Sequence, residues 1–149
     1  MGATPLSPQP EQIAETLGGP AMLGRTVRNL AELEAAVVAG LPKRSLAHLA
    51  ELAVPEPRAR AGFIYGLVPE ATYKRRRERL SVEESERVER VARIVTAARA
   101  VWGDRDARRF LNSPHPLLED RAPLAAARTE TGARRVEAIL AALEWGLPA

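Results

Sequence analysis

The sequence predicts an all-α protein, and three observations lead to that prediction. The apolar residues are mainly Leu, Val, Ile and Ala, set among Glu and Arg, with only two each of Trp, Tyr and Phe; this mixture favours helices over sheets. Apolar residues recur at spacings of three and four, and no useful stretch alternates with a period of two. Capping residues and glycines separate these stretches. The 149 residues suffice for one ordinary domain or two very small ones.

The first 24 residues do not fit the helical pattern. They hold four Pro and four Gly and show no sustained period, so we expect a flexible tail at residues 1–24, with at most one helical turn at Glu11–Leu17. Order is expected to begin at Asn29, which forms a capping box with Glu32 three residues later. The helix that starts there is expected to end at Gly40.

Three further helices are expected in the first half. Ser45 is placed to cap a helix that runs to Ala53, where the prolines of "VPEPR" end it. A third helix covers about Arg58–Leu67, and a fourth starts near Pro69 with the residues "EATYKRRR". Residues 46–77 therefore have the order of a helix-turn-helix, a motif that reads the DNA major groove.

The longest helix is predicted between Ser81 and Gly103. Ser81 forms a second capping box with Glu84, and Gly103 supplies the stop. An apolar stripe runs along this helix at Val88, Val91, Ala92, Val95, Ala98 and Trp102. We expect this stripe to pack on the closing helix at Val136, Ile139 and Leu143. Acid-leading pairs four residues apart are expected on its outer side: Glu83–Arg87, Glu86–Arg90 and Glu89–Arg93.

The end of the chain alternates short helices and a proline-rich loop. "DRDARRFLN" is expected to be a short helix, "SPHPLLEDRAP" a loop and "PLAAA" a helical turn opened by Pro123. "TETGARRVEAILAALEWG" closes the chain as a helix with Gly146 as its C-terminal cap. The last three residues, "LPA", then extend beyond this helix with a free carboxylate, directly after Trp145.

Positive charge is concentrated in one window. The net charge is only +3, yet residues 57–80 carry seven Lys or Arg against two Glu, and residues 81–149 carry equal numbers of each sign. Such a cluster is typical of a surface that contacts nucleic acid phosphates. The alternative is a solvated connector between two helical halves, since most charge runs are solvated faces.

A helix-turn-helix needs small or polar residues near the bases and basic residues near the flanking phosphates. The fourth helix supplies that mixture. We therefore predict DNA contacts from Thr72, Tyr73, Lys74, Arg75, Arg76 and Arg77.

The sequence offers few residues that could carry out catalysis or bind a metal. There is no Cys, and His48 and His115 have no partners at ligand spacing. The "GGP" at residues 18–20 lacks the Gly-Lys-Ser/Thr of a phosphate loop. We expect no enzyme activity, no metal and no cofactor. No apolar run reaches the roughly 20 residues that span a bilayer, and the lack of Cys suits a reducing cytoplasm.

Several ordered motifs carry a family resemblance. Residues 79–149 resemble the C-terminal toxin-binding domain of Xre/MbcA/ParS-type antitoxins through "RLSVEESERVERVAR", "VWGD", "FLNSPHPLL", "APLAAARTETGARRVEAIL" and "EWGLPA". Upstream, "GLP", "LAHLAEL" and "FIYGLVPEATYKRRRERLS" are similar to the Xre-like helix-turn-helix half of that family. The sequence departs from the family at "LLEDRAP", where a glycine pair usually precedes Thr-Pro.

The resemblance implies a type II toxin–antitoxin system. It divides the chain into the tail at 1–24, a DNA-binding domain at 25–80 and a helical toxin-binding domain at 81–149. The implied partners are operator DNA, a second copy of the chain and a RES-type toxin that consumes NAD. Trp and Arg dominate interface energies, so we predict toxin contacts from Arg128, Arg134, Arg135, Trp145, Gly146, Leu147, Pro148 and Ala149.

Two other functions remain open from the residues alone. One is a stand-alone transcription regulator whose C-terminal half only dimerises. The other is an adaptor that scaffolds another protein without contacting DNA. Dimer and toxin interfaces both favour apolar centres with Arg and aromatic residues, so the composition of residues 81–149 does not separate these functions.

Overall fold

The computed structural model describes residues 8–144 and Gly146, and every regular element within them is helical. This confirms the all-α prediction. In this part of the chain the α-helices are α1 Pro10–Thr16, α2 Gly19–Leu23, α3 Leu30–Ala39, α4 Lys43–Ala53, α5 Arg60–Leu67, α6 Glu70–Arg75, α7 Val82–Trp102, α8 Asp104–Asn112, α9 Pro123–Ala126 and α10 Glu130–Glu144. Two 3-10 turns, Pro57–Ala59 and Pro116–Leu118, lie between them.

Helix α7 is the central element of the fold. It contacts α1, α3, α4 and α5 from the first half of the chain and α8 and α10 from the second. The Ser81–Glu84 capping box forms as predicted, with Ser81 Oγ accepting from the Glu84 backbone N–H at 3.2 Å. Helices from both halves of the chain pack on α7, so their buried apolar residues form one continuous core with it.

The predicted stripe of α7 is buried except at its end. Val88, Val91 and Val95 lie in the core with Val136 of α10. Trp102, however, is 38% exposed, and its ring lies 5.9 Å from that of Phe110. The expectation that Trp102 is buried in the seam with α10 was therefore wrong. Trp102 occupies the last turn before Gly103, where the chain reverses into α8, and that turn lies at the edge of the core.

The expectation of a flexible tail was wrong for residues 10–23. They form α1 and α2, and Ile13, Leu17 and Leu23 are buried in the core. The prolines and glycines that suggested disorder occupy helix ends: Pro10 begins α1, and Gly18, at φ 110°, caps the start of α2. Residues 1–7 lie outside the described residues.

Helix α4 begins earlier than predicted. Pro42 is its N-cap, so Ser45 lies inside the first turn, where its buried Oγ has no hydrogen-bond partner among the described residues. The start is fixed by backbone pairing with the segment before α7: the Lys43 N–H donates to Glu78 O, and the Leu80 N–H donates to Leu41 O, each at 2.8 Å. This long-range pairing replaces the predicted serine cap.

Most of the predicted ion pairs along α7 give way to contacts with other helices. Only Glu89–Arg93 forms among the three, at 3.8 Å. Arg87 Nε instead donates to Leu67 O at the end of α5, at 2.9 Å. Arg90 reaches Glu130 of α10 at 3.1 Å. Arginine side chains are long enough to reach these partners, so α7 is tied to both halves of the molecule.

A polar clamp joins α8 to the end of α4. Arg108 donates to Leu52 O at 2.9 Å and to Glu51 O at 3.0 Å, and Asn112 Nδ2 donates to Ala53 O at 2.8 Å. These carbonyls belong to the last turn of α4, which has no partners within its own helix. No helix in the described part of the chain is long and apolar enough to cross a membrane.

Candidate functional site

Helices α5 and α6 form a compact hairpin on one side of α7. Val68 and Pro69 connect the two helices. The Val68 side chain is fully buried, and Pro69 is the N-cap of α6. The rings of Tyr65 and Tyr73 meet edge to face at 6.0 Å, which fixes the angle between the helices. Lys43 places its ammonium 4.4 Å from the centre of the Tyr73 ring. Burial raises the pKa of the Tyr73 hydroxyl. The ring packs against the core and also lines the groove beside α6, so its contact with DNA stays a prediction.

The predicted DNA contacts on α6 differ in their availability. Thr72 is half-buried, whereas Lys74 and Arg75 are exposed. Lys74 is paired with Glu70 one turn earlier, at 2.7 Å. Arg75 and Arg77 are exposed and have no ion pair among the described residues. These two guanidinium groups are the ones most available to phosphate.

Arg76 points inward, away from its neighbours. Its Nε and Nη2 donate to the two carboxylate oxygens of Glu84 at 3.1 and 3.2 Å. Burial would raise the pKa of Glu84, but hydrogen bonds from Arg76 and from the Ser81 backbone outweigh it and hold the pKa below its ordinary value. Glu84 is the residue that caps α7. Arg76 therefore fixes the start of α7, and the structure separates it from the predicted DNA contacts.

The structure adds basic residues that the sequence did not connect with this surface. A groove of about 630 Å³ beside α6 is lined by Lys43, Arg44, Arg77 and Arg79. The backbone pairing between Pro42 and Arg79 brings the turn "LPKRS" next to the basic run. Lys43 and Arg44 are evident in the sequence of that turn. Because they are far from the basic run along the chain, the sequence did not predict that the two would be adjacent. We call the residues Lys43, Arg44, Lys74, Arg75, Arg77 and Arg79 the basic surface.

Arg135, one of the predicted toxin contacts on α10, binds other residues of its own chain. Arg135 donates to the Glu119 carboxylate at 2.6 and 2.9 Å and to Leu117 O at 2.7 Å. The hydrogen bond from Arg135 holds the pKa of Glu119 below its ordinary value. Glu119 has a left-handed backbone, with φ 54°, in the loop at residues 113–122. Arg135 thus fastens a loop in which glycine is absent.

The other predicted toxin contacts are spread over the surface. Arg134 is free to reach outward, with 72% of its side chain exposed and only a 3.6 Å contact to Glu130. Arg128 lies against Gly66 of α5, and its carbonyl accepts from Arg90 at 3.1 Å. Gly146 lies beyond the end of α10 with φ 72°, and its N–H donates to Leu143 O at 3.0 Å, whereas Arg135 lies near the start of the helix. The structure therefore does not bring these residues together. Trp145, Leu147, Pro148 and Ala149 lie outside the described residues.

A partly exposed aromatic row lies in the same half of the molecule. The Trp102, Phe110 and His115 rings follow one another at 5.9 and 6.1 Å, and Leu117 continues the row with an exposed side chain. Leu117 is also the residue whose carbonyl Arg135 holds. The sequence reading missed this row because it assigned Trp102 to the core. The described residues contain no group of three His, Cys, Asp or Glu side chains that could hold a metal ion.

Comparisons with known proteins agree with this two-part geometry. Residues 32–93 match the model of the antitoxin Xre-like helix-turn-helix domain, and residues 97–146 match that of the antitoxin Xre/MbcA/ParS C-terminal toxin-binding domain. No curated protein matches the chain. The two ranges meet within α7, while a division at residues 80 and 81 stays a prediction. The chain belongs to the antitoxins that join an Xre-like helix-turn-helix domain to an Xre/MbcA/ParS C-terminal toxin-binding domain.

Proposed function

We propose that this antitoxin neutralises a RES-type, NAD-consuming toxin and represses its own operon by binding operator DNA. The supporting observation is that the two matched domains present separate exposed surfaces, one basic and one with aromatic and arginine side chains. The two activities can therefore coexist in one complex. Binding to operator DNA places the protein in the compartment that holds the chromosome, so we propose a cytoplasmic location.

The basic surface is suited to the DNA backbone. Arg75 and Arg77 form no ion pair among the described residues, and Lys43 and Arg44 extend the same positive region across the groove, whose lining also includes Glu78. Phosphate contacts of this kind supply most of the affinity and make it depend on salt. Thr72 is the third residue of α6, and we propose that it contacts a base edge.

The DNA proposal is tested by the salt dependence of duplex binding. Arg75→Ala combined with Arg77→Ala removes two phosphate contacts, so the slope of log affinity against log salt should fall by about two, at about 0.9 per contact. Arg134→Ala removes an equally exposed arginine from the other half and serves as the control. Fluorescence anisotropy with the upstream region of the operon measures both. An unchanged slope in the double variant contradicts the assignment.

The toxin proposal places the inhibitory element at the C-terminus of the chain. The family match ends at residue 146, and residues 147–149 follow it in the sequence. The aromatic row and Arg134 are then the surfaces that anchor the rest of the domain to the toxin, because Trp and Arg contribute most at interfaces.

A growth assay separates inhibition from folding. The variant that lacks Leu147–Ala149 should keep the parent melting temperature, since these residues follow α10, yet it should fail to rescue cells that express the adjacent toxin gene. A second variant, Leu117→Asp, should weaken capture of the toxin while residues 147–149 are retained. Normal growth with the truncated chain would show that residues 147–149 are not the inhibitory element and would assign that role to the loop at 113–122.

A further inference from the structure

Arg128 lies just before α10, yet its side chain rests on the helix-turn-helix half of the molecule. Its guanidinium packs against Gly66, the next-to-last residue of α5, so closely that a β-carbon at Gly66 would collide with it. Both residues are exposed. The glycine leaves room for this approach because it has no side chain. A cation from the second half of the chain is therefore displayed on the surface of α5.

The charge of Arg128 is available to a partner. Its side chain forms no ion pair within the described part of the chain. Glu130, the nearest acid along the sequence, pairs instead with Arg90 at 3.1 Å, and also approaches Arg93 at 3.5 Å and Arg134 at 3.6 Å. An exposed guanidinium without an acid beside it is suited to a phosphate or a carboxylate of another molecule.

The position beside α5 favours the phosphate. In helix-turn-helix proteins the second helix enters the major groove, and the first helix crosses the DNA backbone. Here α6 carries the predicted base contact, so α5 has the place of the first helix. Gly66 precedes Glu70, the first residue of α6, by only four residues, and Glu70 is already paired with Lys74 at 2.7 Å. Arg128 thus lies on the helix that is expected to follow the backbone.

Two arginines of α7 fix Arg128 relative to α5. Arg87 Nε donates to Leu67 O, at the end of α5, at 2.9 Å. Arg90 Nη1, about one turn further along α7, donates to Arg128 O at 3.1 Å. The same helix therefore holds both the end of α5 and the backbone of Arg128. The guanidinium is positioned before DNA arrives, which reduces the entropy lost on binding.

We propose that Arg128 is a further contact to the DNA backbone, contributed by the domain that matches the toxin-binding family at residues 97–146. Its ligand is a phosphate of the duplex, which a guanidinium binds without regard to base sequence. This role rests on the proposed operator binding. It differs from the toxin contact that the sequence predicted for Arg128, and it gives the toxin-binding domain a direct part in DNA binding.

The salt dependence of duplex binding by the full chain tests this role. Arg128→Ala should lower the slope of log affinity against log salt by about 0.9. The fall should be equal on the upstream region of the operon and on a duplex of unrelated sequence. Arg128→Lys keeps the charge and should keep the slope, as should Arg134→Ala, the exposed control on α10. Capture of the adjacent toxin by Arg128→Ala should be unchanged.

Gly66→Ala provides an independent test, because it moves the guanidinium without removing it. The added β-carbon occupies the space of the guanidinium, and the long arginine side chain can swing away. Affinity for the duplex should fall in this variant, whereas the melting temperature should not, since Ala is a better helix former than Gly. When Arg128→Ala is already present, Gly66→Ala should weaken binding no further.

Three results would overturn the assignment, and they have different meanings. An unchanged slope in Arg128→Ala, while Arg75→Ala combined with Arg77→Ala lowers it, would remove Arg128 from the DNA contacts and leave operator binding standing. A loss of toxin capture with an unchanged slope would assign Arg128 to the toxin. A parent that binds neither duplex would contradict operator binding and the role of Arg128 together.

Discussion

At the scale of single residues, Arg76 and Arg77 show how neighbouring identical side chains acquire different roles. Helix α6 ends at Arg75, and Arg76 has an extended backbone, with φ −65° and ψ 133°. Successive side chains of extended backbone point to opposite sides. Arg76 therefore meets the buried Glu84, whose side chain is 7% exposed, while Arg77 faces the basic groove.

Stability should separate these two arginines. Arg76→Ala leaves Glu84 without its partner and should lower the free energy of unfolding by about 1–3 kcal/mol, less than for a fully buried pair because Arg76 is partly exposed. Arg77→Ala should change it by less than about 0.5 kcal/mol while weakening DNA binding. Urea denaturation measures both. Equal stability of the two variants would contradict the structural role of Arg76.

The same pair predicts a dependence of stability on pH. The pKa of Glu84 is lowered in the folded chain, so its contribution is present above the ordinary Glu pKa of about 4.3 and is lost as pH falls through the lowered value. Glu84→Gln should reduce stability at neutral pH and flatten this acid limb. Glu89 has a raised pKa, so its contribution runs the other way and is lost as pH rises. An unchanged acid limb in Glu84→Gln would contradict the account.

At the scale of elements, the clamp from α8 onto α4 holds the two halves together. Arg108→Ala removes two hydrogen bonds to the last turn of α4 and should cost about 1–2 kcal/mol. Amide hydrogen exchange should accelerate in both α4 and α8. Arg105→Ala, an exposed arginine on the same helix, is the control. Loss of protection in α8 alone would show that the clamp does not couple the helices.

Local signals predicted some elements and not others. The N-cap at Asn29 and the capping box at Ser81 defined the starts of α3 and α7 because they act within one helical turn. The predicted box at Asn29 is half formed, since the Glu32 carboxylate accepts from the Arg28 backbone N–H. Helix α1 forms where a single helical turn was expected at Glu11–Leu17. Helix α2 was missed because a helix this short gains its stability from tertiary burial, here of Leu23. The run of basic residues located the candidate DNA surface. Its extension to Lys43 and the inward turn of Arg76 depend on long-range pairing, which no local pattern contains.

At the scale of the whole molecule, α7 makes the two functional halves one cooperative unit. Val95→Asp places an unpaired charge at a fully buried position and should cost several kcal/mol. Because α7 contacts both α3 and α10, hydrogen exchange should accelerate in both helices together. Val82→Asp, at the exposed start of α7, should leave both unchanged. Selective loosening of α10 would contradict a shared core.

The central claim is that this chain silences a toxin that consumes NAD. The most direct measurement is the rate of NAD loss catalysed by the purified product of the adjacent toxin gene, with and without an equimolar amount of the full chain. We expect the chain to abolish NAD loss at equimolar ratio, and the chain without Leu147–Ala149 to restore most of it. Undiminished NAD loss in the presence of excess full chain would contradict the account.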